Sequence, residues 1–356
     1  MTEAALIEDR TPADLLARWG ALKTESPSLR IRDAAAQMGV AEAELVAARC
    51  GDGVDRLTGP WSELIERLPT LGTVMSLTRN DHVVHEKTGR FGNIKIVNKG
   101  MGLVLNQEID LRLLLSHWQS GFSVTEPAAQ GVRRSLQFFD ENGTAIQKIY
   151  QTEETDREAW QALIDLHLAA DQAPGIEVSA AVAPAIDRPD DQIDLDRLRE
   201  LWLALKDVHD FMFMLRKLKA GRLQAMRLVG ADLAYRVTPA SFRAALEGAA
   251  ETGLPIMIFV GSPGVIQIHS GPVETLKEVG PWFNVLDPGF NLHLLTGAIA
   301  SAWVVRKPTA DGIVTSLEIF DDQNSQIALM FGVRKEGQPE REDWRALTES
   351  LERLPS

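Results

Sequence analysis

The sequence predicts an internally duplicated α+β protein, and three observations support that class. Motifs recur along the chain at a nearly constant spacing: WGALK at 19–23 returns as WLALK at 202–206, and SLQFFD at 135–140 returns as SLEIFD at 316–321. Each half begins with helical spacing of apolar residues and continues with short strand-like runs. The 356 residues suit two domains better than one core. Residues that the two copies share are attributed to the fold, and polar residues that only one copy carries are candidates for a functional site.

The helices are predicted from apolar residues that recur at three- and four-residue intervals. Asp194 stands just before one such stretch, where its carboxylate can accept hydrogen bonds from the first turn. Thr155 and Glu158 have the spacing of a capping box. The predicted helical segments are 12–50 and 156–168 in the first half, and 195–232 and 341–351 in the second.

The strands are predicted from runs of β-branched and aromatic residues that turn residues separate. The links are short, and Glu-Asn-Gly at 141–143 indicates a hairpin, so the strands are expected to form antiparallel meanders. The predicted strands are 74–78, 82–85, 93–97, 102–105, 133–139 and 146–150 in the first half, and 255–260, 265–270, 301–305, 315–320 and 327–331 in the second.

A linker is predicted between the halves at residues 169–193. This stretch is rich in Ala, Pro and Asp and has no sustained period, which is typical of a semi-extended connection. The expected organisation is an N-terminal repeat at 1–168, the linker, and a C-terminal repeat at 194–356.

Composition and charge narrow the class of protein. Neither a run of about 18 apolar residues nor a basic, then apolar, N-terminal segment is present, so we expect a cytoplasmic protein without membrane insertion. A net charge of −13 argues against nucleic acid as a partner. The single cysteine, Cys50, fits a reducing compartment and is interpreted as a small buried residue.

The histidines are weighed as possible ligands of a metal ion. His82 and His85 fall in one predicted strand, where positions three apart point to opposite faces, which disfavours a shared metal. His209 has Ser26 at the matching place in the other copy, and on a helix it would share an apolar face with Met212 and Phe213. That setting suits an axial ligand of an iron porphyrin, although a lone histidine on such a face is more often part of the core.

Cations form the second group of candidates. Arg112 interrupts an apolar run, and the aligned position in the other copy is His293; the charge needs either a ligand or an internal partner such as Asp110. Lys307 and Arg334 follow neighbouring predicted strands, where they can either pair with carboxylates of one ligand or be solvated strand ends.

The chain resembles the cytoplasmic haem-utilisation proteins of Gram-negative bacteria, the HemS/HmuS/ChuS group, also called hemin-degrading factors. The resemblance rests on WLALKDVHDF at 202–211, DLRL at 110–113, IQIHSGPV at 266–273 and AWVVRKPT at 302–309, and it covers essentially the whole chain. It implies two large antiparallel β-sheets stacked as a central core with flanking helices, and one bound haem b.

The resemblance also implies roles for single residues. His209 takes the place of the proximal iron ligand and Arg112 that of the distal arginine, while Lys307 and Arg334 match propionate-binding residues. Phe331 stands where the family has a tyrosine, which removes a hydroxyl donor, and Leu114 replaces a family phenylalanine.

Three functions follow as hypotheses. The favoured one is a haem carrier for haem uptake, trafficking and iron utilisation, which receives haem from an inner-membrane importer and passes it to an acceptor or an oxygenase. The alternative is a haem-degrading, haem oxygenase-like enzyme that releases iron, with Arg112 on the distal side of the substrate. A remote third is an interaction scaffold that no longer binds haem, which Phe331 alone encourages.

Overall fold

The computed structural model describes residues 10–98, 100–128, 131–180, 187–335 and 337–355. They fall into two compact units, of which the first comprises 1–79, 87–182 and 262–266, and the second 80–86, 183–261 and 267–356, as far as these are described. Each unit thus includes a short segment from the other half of the sequence. The predicted linker lies partly outside the described residues, at 181–186, and its bounds stay a prediction.

The helices of the first unit divide the predicted segment 12–50 into three. Pro12 opens the first helix behind Thr11, whose hydroxyl accepts from the Asp14 backbone N–H. Gly39, with a φ of 67°, ends the second helix in the left-handed conformation that glycine adopts without strain. The five helices in the described part of this unit are α1 Pro12–Glu25, α2 Ile31–Met38, α3 Glu42–Ala47, α4 Trp61–Arg67 and α5 Arg157–His167.

One predicted cap is off by a residue. Asp156, and not Thr155, caps α5, because its carboxylate accepts from the backbone N–H groups of Glu158 and Ala159. Thr155 is still the last residue of a strand, and its hydroxyl donates to the Thr73 carbonyl at 2.6 Å. The capping-box prediction was therefore wrong, since the strand extends to the point where the helix begins.

The second unit repeats this helical order. Asp194 caps its first helix as predicted, and its carboxylate accepts from the Arg197 backbone N–H. The predicted segment 195–232 also divides into three. The five helices seen among this unit's described residues are α6 Leu195–Leu203, α7 Asp210–Leu218, α8 Arg222–Leu228, α9 Ser241–Thr252 and α10 Glu342–Ser350.

The strands of the described residues form two nine-stranded antiparallel sheets, which confirms the predicted fold class. They are β1 Val54–Leu57, β2 Gly72–Arg79, β3 Val83–Arg90, β4 Ile94–Asn98, β5 Met101–Leu105, β6 Asp110–Leu113, β7 Ser120–Pro127, β8 Val132–Phe139, β9 Ala145–Thr155, β10 Ala234–Val237, β11 Ile256–Gly261, β12 Val265–Gly271, β13 Leu276–Val279, β14 Trp282–Asp287, β15 Phe290–Leu295, β16 Ser301–Thr309, β17 Gly312–Phe320 and β18 Gln326–Gly332.

The order of the strands is the same in the two copies. The first unit contains the run β1-β7-β8-β9-β2, and the second contains β10-β16-β17-β18-β11. The registers correspond as well: Val124 lies opposite Ser135 in one unit, and Val305 lies opposite Ser316 in the other. Equivalent positions in the two copies can therefore be compared residue by residue.

Each unit has its own apolar core between helices and sheet. Trp160 of the first unit and Trp202 and Trp344 of the second are almost completely buried, as expected of residues that serve the fold. Cys50 is 5% exposed, which confirms its interpretation as a small buried residue, and burial raises the pKa of its thiol. Trp19, which the repeat makes the equivalent of Trp202, is only partly buried.

Candidate functional site

His209 lies immediately before α7, and 83% of its side chain is exposed. Its Nδ1 lies 2.5 Å from Oδ1 of Asp207, and its backbone N–H donates to the same oxygen at 2.8 Å. The backbone hydrogen bond from His209 lowers the pKa of Asp207 below its ordinary value, and burial of the carboxyl opposes that change only in part. A carboxylate at this distance favours the tautomer in which Nδ1 carries the proton and donates it as a hydrogen bond, which leaves the lone pair of the exposed Nε2 available for a metal.

The expectation that His209 lies inside a helix was wrong. The helical pattern is interrupted at 204–209, where the Asp207 carboxylate accepts from the His209 backbone and Asp210 in turn accepts from the Asp207 backbone. Aspartate competes for local backbone donors in this way and favours turns and helix starts. The imidazole therefore lies at the start of α7, and not on the apolar face of a continuous helix as expected.

Exposed apolar side chains lie one turn beyond His209. Met212 is 45% exposed and Phe213 is 65% exposed, whereas Phe211 and Met214 of the same helix are buried in the core. An exposed imidazole beside exposed sulfur and aromatic groups combines a ligand for iron with an apolar surface. Such a surface can cover one face of a flat, apolar ligand.

A buried ionic cluster lies beneath α7. Glu318 is fully buried and receives two hydrogen bonds from the Arg222 guanidinium, at 2.7 and 2.9 Å, and one from Lys307 Nζ at 2.9 Å. Burial alone raises the pKa of Glu318, but the charges of Arg222 and Lys307 overcome it and lower that pKa to about 2. The Ser316 hydroxyl also donates to the carboxylate, at 2.8 Å. Glu318 is thus an internal counter-ion for two cations.

This cluster connects Lys307 to the helix that follows His209. Lys307 Nζ lies 4.6 Å from the centroid of the Phe211 ring, and the Arg222 guanidinium lies 5.1 Å from the same centroid. The Lys307 side chain is only 3% exposed, and burial lowers its pKa. Lys307 is therefore much more enclosed than a solvated strand end, and two of its three N–H donors already point to Glu318 and Ser316.

Arg334 and Phe331 lie just outside this cluster. Arg334 pairs with Asp311 at 3.6 Å, and its charge contributes to the lowered pKa of Asp207, after the larger effects of His209. Phe331 packs edge to face on Phe259 with 5.2 Å between ring centroids. Arg334 therefore lies close enough to Asp207 for its charge to act on that carboxylate.

Arg112 belongs to the first unit, where it lies in β6. Its guanidinium forms an ion pair with Asp110 and also donates to the Leu111 carbonyl at 3.4 Å. Its side chain is 29% exposed, and burial raises the pKa of Asp110 although the bond to Arg112 opposes that rise. The internal pair that the sequence left open as an alternative is thus present. Leu114 follows the strand, and its N–H donates to the Gly264 carbonyl at 2.9 Å.

Neither Arg222 nor Glu318 was among the candidate residues that the sequence pattern indicated. A signal for Glu318 existed, because the equivalent residue of the first copy is the neutral Gln137, at the same register from the repeated SLQFFD and SLEIFD motifs. No comparable sequence signal marked Arg222, because the arginines of α8 have the spacing of ordinary solvent-exposed residues on a helix.

His82 and His85 have separate partners. His82 Nε2 lies 3.2 Å from the Asp321 carboxylate, whereas His85 is buried and contacts the Gln267 amide at 2.8 Å. No cluster of three or more His, Cys, Asp or Glu suited to a metal ion occurs in the part of the chain that the structure describes. In the same residues, no helix is both long enough and apolar enough to cross a membrane.

Comparison with known proteins identifies the relatives of this chain. The family model of the haemin-degrading HemS.ChuX domain matches twice, at residues 39–167 and 219–351, one match for each copy of the duplication. The hemin transport protein HemS of Yersinia enterocolitica is 41% identical over 327 residues, which cover 91% of this chain and 93% of that protein.

Two solved structures extend the likeness to the fold. Holo-PhuS, a heme-binding protein from Pseudomonas aeruginosa, has a TM-score of 0.94 and 48% identity, covering 96% of this chain and 99% of that one. ChuS of Escherichia coli O157:H7, described as a heme degrading enzyme, has a TM-score of 0.90 and 39% identity, covering 97% of this chain and 100% of that one. This chain belongs to the haemin-degrading HemS/ChuX domain family.

Proposed function

We propose that this protein binds one haem for haem uptake, trafficking and iron utilisation, with Nε2 of His209 as the axial ligand of the iron. The observation that carries the proposal is the exposed imidazole that Asp207 orients through Nδ1, beside the exposed side chains of Met212 and Phe213. An oriented, neutral imidazole is a good donor to ferric iron, because the carboxylate fixes the tautomer and raises the basicity of the other nitrogen.

Apolar burial supplies the main part of the binding free energy in this proposal. Covering Met212 and Phe213 with one porphyrin face removes apolar surface from water, at roughly 25 cal/mol per Å². Cations of the second unit orient the propionates: Arg334, which is partly exposed, and Lys307, which has one N–H donor beyond those that it gives to Glu318 and Ser316. Phe331 contributes packing where the family supplies a hydroxyl.

Arg112 is proposed as the distal residue on the strength of the family resemblance. A guanidinium is charged at every accessible pH and can donate several hydrogen bonds to oxygen ligands. To act in this way Arg112 must share its donors between Asp110 and the ligand. Replacing it with Lys keeps the charge and removes the fork of donors, so comparing Arg112→Lys with Arg112→Ala separates these two contributions.

The ligand is proposed to be haem b, held without covalent bonds. Covalent attachment through a C-x-x-C-H motif needs two cysteines, and this chain has one. The proposed setting is the cytoplasm, with an inner-membrane haem importer as donor and a haem acceptor or oxygenase as recipient. Hemin transport proteins among the relatives support that role.

Titration of the apo-protein with hemin tests the proposal, with the Soret band as readout. We expect saturation at one haem per chain, and His209→Ala should shift the band and weaken binding by at least tenfold. His293→Ala is the matched control, because that imidazole is partly exposed and is bonded to Asn284 at 2.6 Å. An unchanged spectrum in His209→Ala removes His209 as the ligand, and a wild-type protein that leaves the spectrum of free hemin unaltered favours the scaffold hypothesis.

Haem degradation is the second candidate function, and the likeness to ChuS favours it. In that case haem is the substrate, and oxygen with an electron donor opens the macrocycle and releases iron. Incubation with a physiological reductant, oxygen and catalase tests it, with the tetrapyrrole product and free iron as readouts. Turnover that persists with catalase supports an enzyme, and complete suppression by catalase indicates only coupled oxidation by peroxide.

A further inference from the structure

The first unit contains a basic cavity that has no part in the proposed haem site. Its volume is about 320 Å³, and it lies between the segment of helices α1–α3 and the strands β2, β7, β8 and β9. Only two carboxylates, Glu42 and Glu126, line it among the described residues. This concentration of positive charge occurs in a chain whose net charge is −13. Seven cations line the cavity: Lys23, Arg30, Arg32, Arg49, Arg79, Arg133 and Lys148.

The two carboxylates are already engaged by cations of the cavity wall. Glu42 forms a buried ion pair with Lys148. Glu126 accepts from Arg133 Nε at 2.9 Å and from Arg133 Nη2 at 2.6 Å. The cations therefore outnumber the carboxylates that face them, and the excess charge favours an anion from solution.

Arg79 shows the cost of gathering these cations. Burial is the main effect that lowers the pKa of its guanidinium, to about 10, and the charges of Arg32 and Arg30 lower it further. Glu42 and Asp33 oppose that change only in part. An arginine whose charge is disfavoured by its surroundings gains from a bound anion, so burial and the neighbouring positive charges both favour one here.

The two copies place their charged residues differently at equivalent positions. In the second unit, Glu318 of β17 supplies a buried carboxylate to Arg222 and Lys307. The equivalent position in β8 of the first unit is Gln137, which lines the cavity and carries no charge. The equivalent of Lys307 is Glu126 of β7, so the first copy has a carboxylate on the neighbouring strand where the second copy has a lysine.

Trp19 provides an independent sign of a ligand. Its equivalent, Trp202, is fully buried, and the Trp202 indole N–H donates to the Arg306 carbonyl at 2.9 Å. Trp19 lines the cavity, and its indole Nε1 is buried and has no hydrogen-bond partner among the described residues. A buried donor without an acceptor is costly, and an anion in the cavity can supply the acceptor.

The aromatic rings of the cavity indicate the shape of the ligand. Lys23 and Arg49 lie over the Trp19 ring, at 5.9 and 6.0 Å from its centroid, and Arg133 lies over the Tyr150 ring at 5.5 Å. Because cations already cover these rings, the cavity offers donors and little room for stacking. Its volume is also near the lower end of the range for small-molecule sites. Both features favour a compact anion over a flat aromatic ligand.

We propose that this cavity binds a small anion of the phosphate class that carries at least two negative charges. Guanidinium groups bind phosphate oxygens through two parallel hydrogen bonds, and the Trp19 indole adds one more donor. The start of α2 lines the same cavity through Ile31 and Arg32, and the first-turn N–H groups of a helix favour an anion. The site shares no residue with the proposed haem site.

Calorimetric titration of the full-length protein with inorganic pyrophosphate tests the proposal. We expect saturable binding at one site per chain, which Arg30→Glu weakens at least tenfold. Trp19→Phe keeps the aromatic packing and removes the indole donor, so it should weaken binding by severalfold. Arg30 is exposed at the start of a helix, where a carboxylate is well tolerated, so the variant is expected to fold.

Lys217→Glu is the matched control, because Lys217 is exposed on α7 and the variant changes the net charge by the same amount. It should bind pyrophosphate within twofold of the wild type, and so should His209→Ala, which separates this site from the haem proposal. The absence of saturable binding overturns the proposal. An equal loss in Lys217→Glu also overturns it, because it shows only non-specific attraction.

Discussion

Replacing Glu318 with Gln perturbs the most enclosed charge of the second unit. Glutamine has nearly the size of glutamate and keeps some of the hydrogen bonds of the side chain. The variant nevertheless leaves Lys307 buried without a counter-ion and removes the salt bridge of Arg222. The pKa of Glu318 lies at about 2 against an ordinary value of 4.5. A difference of that size is worth about 3 kcal/mol, and removing one partner from a buried ion pair costs about 3–5 kcal/mol.

The loss should depend on pH in a defined direction. Because the pKa of Glu318 is lowered by folding, its contribution is complete above about pH 4.5 and is lost as the pH falls toward 2. The difference in the free energy of unfolding between wild type and Glu318→Gln should therefore be nearly equal at pH 7 and pH 5. By pH 3 it should fall to less than half.

Urea denaturation followed by far-UV circular dichroism and tryptophan fluorescence measures this difference. Glu126→Gln is the control, because Glu126 pairs with Arg133, which is half exposed, and such pairs contribute less than about 1 kcal/mol. Adding Lys307→Met to Glu318→Gln should recover part of the loss, since the unpaired ammonium is then gone. The reasoning fails if Glu318→Gln lies within about 0.5 kcal/mol of the wild type at pH 7, or if the loss is the same at pH 3.

Three further predictions follow from single contacts. Asp207→Ala should weaken hemin binding by about 10–100-fold in a Soret titration, because the imidazole loses the acceptor that fixes its tautomer; unchanged affinity contradicts that role. Gly332→Ala should lower the free energy of unfolding by about 1–3 kcal/mol in urea denaturation, since the new Cβ would lie 2.6 Å from the Trp344 side chain. Gly20→Ala, at a position in α1 with open space around it, should raise it by about 0.5–1 kcal/mol. Asp156→Ala should cost about 1 kcal/mol in the same assay by removing the cap of α5, and a change below about 0.3 kcal/mol would count against the cap.

The sequence predicted the duplication and the fold class because both depend on patterns that repeat. Helical segments and β-branched strands have a clear period, and the Asp194 cap needs only local chemistry. Strands such as β7 were missed, because Gly121, Phe122, Ser123 and Val124 are all buried and the apolar–polar alternation is lost. The exposed β13, with Lys and Glu at its centre, gave no strand signal for the opposite reason.

Comparison of the copies predicted the candidate site only in part. It singled out His209, but the break in the helix depends on how Asp207 bonds to the backbone, which spacing alone does not show. It left Trp19 and Trp202 as equivalent parts of the scaffold, although one faces a cavity and the other is in the core. The position of Glu318 differed between the copies too, yet its meaning appears only when Lys307 is seen beside it.

Rescue by imidazole tests most directly whether His209 binds the haem iron. In His209→Gly, the exposed position beside Met212 and Phe213 leaves room for a free imidazole to reach the iron. We predict that hemin bound to this variant has an altered Soret band, and that millimolar imidazole restores the wild-type spectrum while 2-methylimidazole, whose methyl group crowds the ligating nitrogen, restores it poorly. A variant that shows the wild-type spectrum before imidazole is added contradicts the central claim.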